Sequence, residues 1–314
     1  MKIIISEFMD EAAVDQLRAR FDVTYDAGLV DRPDDLLAAV AHADALIVRN
    51  RTQVNQALLA GAPQLKAVGR LGVGLDNIDV AACEQRNIQV LPATGANALA
   101  VAEYVIVSAM LLLRGVFAAS PDIARGEWPR ARLSDGRETG GKVLGLIGFG
   151  GIGQLAASLA RNLGMSVCAY DPAIKDDAAI WQETGVRPVS LDQLLEQADV
   201  VSLHIPLLDS TRGLFDAARI AKMKPGAVLV NTSRGGIVDE AALVSALQEG
   251  RLGGAALDVF EQEPPTGQHL AHLPNLILTP HVAGVTAESN QRVSQLIADR
   301  VSKCLSADAA ATAR

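Results

Sequence analysis

The sequence predicts an α/β fold built on parallel sheets and divided into two domains. Short apolar runs alternate with helical patterns along nearly the whole chain of 314 residues, which is typical of strand–helix units. That length suits two domains better than one. The most informative stretch, Gly141 to Asp171, reads as a strand, a glycine turn, a helix and a second strand. We therefore expect a Rossmann-type, doubly wound parallel sheet around this stretch.

The glycine turn has the spacing of a phosphate-binding loop. Gly148 is expected to permit the tight turn, Gly150 to let a pyrophosphate approach the backbone, and Gly153 to let helix and strand pack closely. The N–H groups at the helix start, on Gly151 and Ile152, would bind the phosphates, where the helix dipole also favours an anion. These features predict dinucleotide binding.

An acidic residue at the end of the second strand indicates which dinucleotide binds. Asp171 lies 18 residues after Gly153, close to the spacing of an acid that binds the adenosine ribose 2′-hydroxyl. The carboxylate would repel the 2′-phosphate of NADP, and the segment 172–174 offers no arginine. NAD is therefore the predicted cofactor, while Lys175 keeps NADP as the alternative.

Composition excludes several classes of function. The content of 49% hydrophobic and 20% charged residues is that of a globular protein, and a net charge of −8 argues against binding nucleic acid. The cysteines (Cys83, Cys168 and Cys304) fit no metal or disulfide pattern. Ala98–Leu113 is the most apolar stretch, but it is short for a membrane span and contains Glu103. We expect a cytoplasmic protein with no metal and no membrane partner.

The chain before the glycine turn has its own alternation of apolar runs and helical patterns, which predicts a smaller, flavodoxin-like α/β domain. Asn97–Arg114 is apolar on almost every face and is expected to be buried between domains or subunits. Ser120–Thr139 is expected to be irregular. About six strands are predicted for the second sheet, and a final helix near Ala287–Leu305 would return the chain to the first domain. We predict a discontinuous substrate-binding domain, 1–96 with 286–314, joined by two long helices to a dinucleotide-binding domain, 97–285.

Ligands of a doubly wound sheet bind at the carboxyl ends of its strands, so the polar residues there are the candidates for chemistry. Transfer of a hydride must be accompanied by transfer of a proton, for which histidine is suited. A neighbouring carboxylate would orient the imidazole, and an arginine would clamp a substrate carboxylate. The residues alone leave His204 and His281 open as the acid/base. The candidate segments are 204–206, 231–236, 258–265 and 279–281.

Several of these segments together resemble a known enzyme family. NTSRGGIVDEAAL, ALDVFEQEPP and LTPHVAG, with GFGGIG and YDP, resemble the signature blocks of the NAD-dependent D-2-hydroxyacid dehydrogenases over nearly the whole chain. The resemblance implies that His281 is the general acid/base, Glu263 its orienting carboxylate and Arg234 the substrate clamp. It also implies a homodimer formed through the NAD domain. The cofactor-binding residues that it implies are His204, Pro206, Thr211, Thr232, Asp258, His281 and Gly284.

The first domain is expected to select the substrate. The resemblance implies that backbone N–H groups around Val73 and Gly74 meet the substrate carboxylate, in the segment LGVGLDNID. Arginines in an acidic protein would attract a second anionic group of the substrate. The further substrate-binding candidates are Arg49, Asn50, Arg51, Arg70 and Asn97.

VRNRTQV, GRLGVGLDNID and the opening IISEFMDEAAV are similar to two branches of this family. These branches act on (S)-3-sulfolactate, which is favoured here, and on 3-phospho-D-glycerate, which is the alternative. Asn50 stands where the second branch usually has serine. A formate or phosphite dehydrogenase and an NAD-sensing corepressor are the remaining alternatives.

Overall fold

The computed structural model describes residues 1–266, 268–271, 273 and 275–312. The chain divides into two compact units, one formed by Met1–Asn97 with Val285–Arg314 and the other by Ala98–Gly284. Each unit contains a parallel sheet flanked by helices, so the predicted fold class is confirmed.

The first unit contains a five-stranded sheet in the order β2 (Asp22–Tyr25), β1 (Lys2–Ile5), β3 (Ala45–Val48), β4 (Ala67–Arg70) and β5 (Gln89–Pro92). All pairings are parallel, and this is the flavodoxin-like strand order. The inner strands are continuous apolar runs because helices cover both faces, as the complete burial of Ile3, Ile4 and Ile5 shows. In chain order the elements are β1 (Lys2–Ile5), α1 (Glu11–Arg18), β2 (Asp22–Tyr25), α2 (Pro33–Val40), β3 (Ala45–Val48), α3 (Gln56–Ala60), β4 (Ala67–Arg70), α4 (Val80–Gln85) and β5 (Gln89–Pro92).

The elements of the second unit are α5 (Ala98–Arg114), α6 (Ser120–Ala124), β6 (Val143–Ile147), α7 (Gly151–Asn162), β7 (Ser166–Tyr170), α8 (Ala179–Thr184), β8 (Arg187–Pro188), α9 (Leu191–Gln197), β9 (Val200–Leu203), α10 (Ala217–Lys222), β10 (Val228–Asn231), α11 (Glu240–Gln248), β11 (Gly254–Leu257) and β12 (Leu276–Leu278). They form a parallel sheet in the order β8-β7-β6-β9-β10-β11-β12. The six strands from β8 to β11 in this order are arranged as in dinucleotide-binding domains. Within the described residues, the sheet of the second unit thus contains seven strands where about six were expected. Strand β8 is only two residues long, too short to show a periodic pattern.

Within the single chain, helix α5 is buried on one face, and the expected cover of its other face by a subunit stays a prediction. Ala102, Val105 and Ala109 pack into the core of the second unit. Val107 and Met110, on the opposite face, are 53% and 41% exposed. The following segment, expected to be irregular, begins with the short helix α6. Among the described residues, no helix is long and apolar enough to cross a membrane.

The last helix, α12 (Ala287–Thr312), belongs to the first unit and packs on α1, β4 and β5. Gly69 on β4 allows this packing, since a Cβ there would lie 2.8 Å from the Ile297 Cγ2 and 2.9 Å from the Val301 Cγ2. The sequence pattern placed the end of this helix near Leu305, but the helix continues to Thr312.

Candidate active site

The glycine turn between β6 and α7 has the shape of a phosphate cradle. Gly148 has a φ of +92°, and a Cβ there would lie 2.4 Å from the carbonyl oxygen of His204. A Cβ on Gly153 would lie 2.6 Å from the carbonyl oxygen of Gly148. Cβ atoms on Gly150 and Gly151 would instead meet open space. The turn therefore leaves room for a ligand at the start of α7, where the first N–H groups lack acceptors within the helix.

Asp171, at the end of β7, also contacts the glycine turn. Its Oδ2 accepts a hydrogen bond from the N–H of Phe149 at 2.8 Å, and its Oδ1 accepts one from Ala173 at 2.9 Å. Phe149 is buried and stacks on Trp181 with ring centroids 4.8 Å apart. The carboxylate thus fixes the turn, while lone pairs remain for a ribose hydroxyl.

The two candidate histidines have different surroundings. His204 Nε2 is 3.0 Å from Ser202 Oγ, and burial lowers the pKa of its imidazole from 6.5 to about 4. His281 Nδ1 is 2.8 Å from Glu263 Oε2, and both side chains are more than one-third exposed. Because a carboxylate only accepts hydrogen bonds, Nδ1 carries the proton and Nε2 of the neutral ring is the basic nitrogen. Of the two histidines, His281 has the arrangement of a proton-transfer group.

The loop that carries His281 is held by Asp258, which is 1% exposed. The Asp258 carboxylate accepts hydrogen bonds from the N–H groups of Val282 and Ala283, each at 2.8 Å. The N–H of His281 donates to the backbone carbonyl of Asp258 at 2.8 Å. His281 has a φ of +55°, a conformation that a non-glycine residue seldom adopts. These hydrogen bonds hold residue 281 in this unfavourable backbone conformation and so fix the position of its imidazole.

A chain of hydroxyl groups connects the same carboxylate to helix α5. Thr279 Oγ1 donates to Asp258 Oδ1 at 2.6 Å, and the Tyr104 hydroxyl lies 2.6 Å from Thr279 Oγ1. Because the threonine proton points to the carboxylate, the tyrosine must be the donor to Thr279. Burial raises the pKa of the Tyr104 phenol, which keeps it protonated as this role requires.

Arg234 lies on the loop after β10, and this loop packs against the segment that carries Glu263. Asn231 Nδ2 donates to the carbonyl of Arg234 at 3.0 Å, and Arg234 Nη1 donates to the carbonyl of Ser233 at 2.6 Å. A Cβ on Gly235 would lie 1.6 Å from the carbonyl oxygen of Phe260. Only glycine permits this approach, which brings the loops after β10 and β11 together.

The other predicted cofactor residues follow strands of the same sheet and so lie along its carboxyl edge. Pro206 follows β9, and its carbonyl accepts a hydrogen bond from Thr211 Oγ1 at 2.6 Å. Thr232 follows β10, and its Oγ1 is buried without a partner in the described part of the chain. Gly284 follows the His281 loop. The glycine cradle and the unsatisfied Thr232 hydroxyl both fit a bound dinucleotide. Across the described ranges, no cluster of side chains is suited to holding a metal ion.

In the first unit, the loop after β3 contains three of the predicted substrate residues, Arg49, Asn50 and Arg51. The backbone N–H groups of residues 49–52 all donate to the carboxylate of Glu7, which follows β1 and is 4% exposed. Asn77 Nδ2 donates to the carbonyl of Thr52 at 2.7 Å and connects this loop to the one after β4.

The arginines of the first unit have different neighbours. Arg49 is partly buried, and its Nη2 donates to Asn290 Oδ1 at 2.8 Å. Arg51 forms an exposed ion pair with Asp31. Arg70 Nη1 donates to the carbonyl of Leu71 at 3.0 Å. A Cβ on Gly72 would lie 1.5 Å from that same nitrogen, so the guanidinium lies directly on the glycine loop.

The remaining predicted substrate residues lie near the same loops. Val73 is 40% exposed and Gly74 is partly buried, both in the loop after β4. Asn97 follows β5, and in the part of the chain that the structure describes its Oδ1 is buried without a partner. The contacts of these three residues with a substrate stay predictions.

The sequence reasoning missed Glu7 and Tyr104. Glu7 lies two residues after the apolar run of β1, so the rule that singled out residues at strand ends would have found it in the first domain as well. Tyr104 is a phenol on a largely apolar helix, where a buried hydroxyl requires a partner. Its partner, Thr279, is 175 residues away in the sequence and could not be read from local spacing.

Comparisons with known proteins identify the family of this chain. The model of the D-isomer specific 2-hydroxyacid dehydrogenase NAD-binding domain matches residues 106–283. The chain is 54% identical over 304 residues to the (S)-sulfolactate dehydrogenase of Chromohalobacter salexigens, covering 96% of this chain and 98% of that relative. It is 39% identical over 306 residues to the D-3-phosphoglycerate dehydrogenase of Methanocaldococcus jannaschii, covering 97% of this chain but only 57% of that relative.

A solved structure is also similar to this chain over nearly its whole length. The NAD-dependent formate dehydrogenase of Staphylococcus aureus in complex with NAD superposes with a TM-score of 0.81 and 30% identity, covering 96% of this chain and 95% of that one. The chain belongs to the D-isomer specific 2-hydroxyacid dehydrogenases. It is an NAD-dependent oxidoreductase of hydroxy acids, which confirms the predicted family, enzyme class and cofactor.

The lowered pKa of His204 predicts acid sensitivity of the apo protein. Between pH 6.5 and 4 the unfolded chain binds a proton at this residue and the folded chain does not. The contribution of His204 to stability is therefore complete above pH 6.5 and lost as the pH falls towards 4, by about 3 kcal/mol. In urea denaturation, lowering the pH from 7 to 4 should reduce the free energy of unfolding of the wild type by about 3 kcal/mol more than that of His204→Gln. The exposed His42→Gln is the control and should behave as the wild type.

Proposed function

We propose that this dehydrogenase acts on a D-configured 2-hydroxy acid with a second anionic group on C3, and that it interconverts (S)-3-sulfolactate and 3-sulfopyruvate. The identity of 54% to a protein named for that substrate, over 98% of its length, supports the proposal. D-3-phosphoglycerate dehydrogenase activity is the second candidate. Phosphoglycerate and sulfolactate share the three-carbon hydroxy acid and the distal anion.

One observation carries the mechanism: the contact of 2.8 Å between His281 Nδ1 and Glu263 Oε2. Glu263 holds the ring so that Nε2 takes the hydroxyl proton of the substrate during oxidation and returns it during reduction. Arg234 binds the substrate carboxylate by paired hydrogen bonds and orients C2. Bound NAD would supply the acceptor for the hydride that leaves C2 of the substrate.

The second unit is the proposed NAD-binding domain and the first unit the proposed substrate-binding domain. The cofactor phosphates would bind at Gly150, Gly151, Ile152 and Gly153, and the adenosine ribose at Asp171, whose charge favours NAD over NADP. Thr232 supplies a free hydroxyl for the cofactor.

Arg49 is the proposed ligand of the distal anion. Its guanidinium is partly buried, and burial lowers its pKa although the charge of Glu7 opposes that shift. A desolvated guanidinium binds an anion more strongly than one in water. Arg51 is exposed and already paired with Asp31, which makes it the weaker candidate. For Arg70, on the glycine loop, we propose a contact with the carboxylate end of the substrate, together with Val73 and Gly74.

The substrate assignment predicts an order of catalytic efficiencies. NADH formation at 340 nm should give the highest kcat/KM with (S)-sulfolactate, a lower value with 3-phospho-D-glycerate, and much lower values with D-glycerate and D-lactate, which lack the second anion. A preference for phosphoglycerate would support the second candidate. Retained NADH binding without turnover of any of the four acids would instead support a nucleotide-sensing corepressor.

The catalytic assignment predicts unequal effects of two matched histidine variants. His281→Gln should lower kcat by about 10²- to 10⁴-fold because it removes the proton-transfer group. His269→Gln is the control, since His269 also lies 2.8 Å from a glutamate, Glu240, and is about equally exposed. It should retain wild-type turnover. Similar kinetics of the two variants would show that His281 is not the acid/base.

We also propose a homodimer formed through the second unit. Val107 and Met110 form an exposed apolar face of α5, and Phe117 and Trp128 further along the chain are 60% and 78% exposed. Surfaces of this kind are typical of subunit interfaces. Size-exclusion chromatography with light scattering should give twice the chain mass of 32.9 kDa. The pair Val107→Glu and Met110→Glu should give the monomer mass, whereas Leu208→Glu, at a comparably exposed leucine elsewhere, should not.

A further inference from the structure

Glu7 makes an unusual set of contacts for a buried acidic side chain. Its Oε1 accepts hydrogen bonds from the N–H groups of Arg49 at 2.8 Å and Thr52 at 3.0 Å. Its Oε2 accepts them from Arg51 at 3.1 Å and Asn50 at 3.3 Å. Four successive backbone donors thus converge on one carboxylate, in a concave arrangement that proteins use for binding anions.

We infer that Glu7 is a positioning residue that fixes the Arg49–Thr52 loop and thereby places Arg49 for the distal anion of the substrate. The inference rests on the proposed function for the identity of that anion. Because Glu7 occupies the backbone donors of this loop, a substrate anion must be bound there by side chains.

The side chain of Arg49 is held as well as its backbone. Its Nη2 donates to Asn290 Oδ1 on α12 at 2.8 Å. Its guanidinium carbon lies 5.8 Å from the centre of the ring of Phe8, the residue next to Glu7. Glu7 therefore holds the backbone of Arg49, while Phe8 and Asn290 contact its guanidinium. A long, flexible arginine that is held in advance loses less conformational entropy when it binds an anion.

Two effects of Glu7 on anion binding have opposite signs. As a negative charge beside Arg49, the carboxylate weakens the attraction of the site for an anion. As an acceptor of four hydrogen bonds, it holds the loop in its binding conformation. A carboxamide in its place has one acceptor oxygen and presents an NH₂ group to the remaining N–H donors. We expect the loss of loop geometry to weaken anion binding more than the removal of the negative charge strengthens it.

The test compares Glu7→Gln with Glu11→Gln, which removes the same charge from an exposed position on α1. Glu7→Gln should raise the KM for (S)-sulfolactate about tenfold, the effect of losing one well-made hydrogen bond to a charged group, with kcat within about threefold of wild type. The kcat/KM for D-glycerate should not change. Glu11→Gln should match the wild type with both substrates.

A third variant separates charge from geometry and covers the case in which Glu7→Gln does not fold. Glu7→Asp keeps the charge but withdraws the carboxylate by one methylene, so it should also raise the KM for sulfolactate. An unchanged or lowered KM in the folded variants, or an equal loss with both substrates, would overturn the inference.

Hydrogen exchange of the amides of residues 49–52 gives a readout that does not depend on activity. These amides should be protected in the wild type and exchange faster in Glu7→Gln, and no difference in exchange would also overturn the inference. If the wild type itself shows no preference for sulfolactate over D-glycerate while the exchange result holds, the proposed function fails and the contact made by Glu7 stands.

Discussion

The buried carboxylate of Asp258 is the contact on which the candidate active site of the second unit depends. It accepts hydrogen bonds from Val282, Ala283 and Thr279, and its backbone carbonyl accepts one from His281. An unpaired carboxylate in this position would be costly to bury, so the loop that satisfies it is held in one conformation. The resemblance implies that Asp258 binds the cofactor. In the structure, its hydrogen bonds hold the loop of the proposed acid/base.

The two units use the same physical device in different places. In each unit, a buried carboxylate at the carboxyl edge of the parallel sheet accepts hydrogen bonds from backbone N–H groups. These N–H groups belong to a loop that follows a different strand. Asp258 holds the loop of the proposed proton-transfer group, and Glu7 holds the loop of the proposed anion-binding arginine. Internal acids of this kind order segments that would otherwise leave polar backbone groups unsatisfied.

Sequence reasoning was most successful where one residue type is physically required. The positions of Gly148 and Gly153 follow from close approaches that exclude a Cβ, and the alternation of apolar runs follows from sheets covered on both faces. The choice between His204 and His281 could not be made from spacing, because it depends on which ring is buried beside a serine and which lies beside a glutamate. The sequence also did not indicate which face of α5 its own chain covers, since an apolar helix can be covered by its own chain or by another.

The left-handed backbone conformation of His281 affects which substitutions the fold favours at this position. A φ of +55° costs a non-glycine residue about 1–2 kcal/mol, which the surrounding hydrogen bonds offset. Glycine adopts this conformation without strain. Replacing His281 with glycine would therefore relieve backbone strain while removing the imidazole. The residue that would suit the backbone best at this position is thus not the residue that the proposed proton transfer requires.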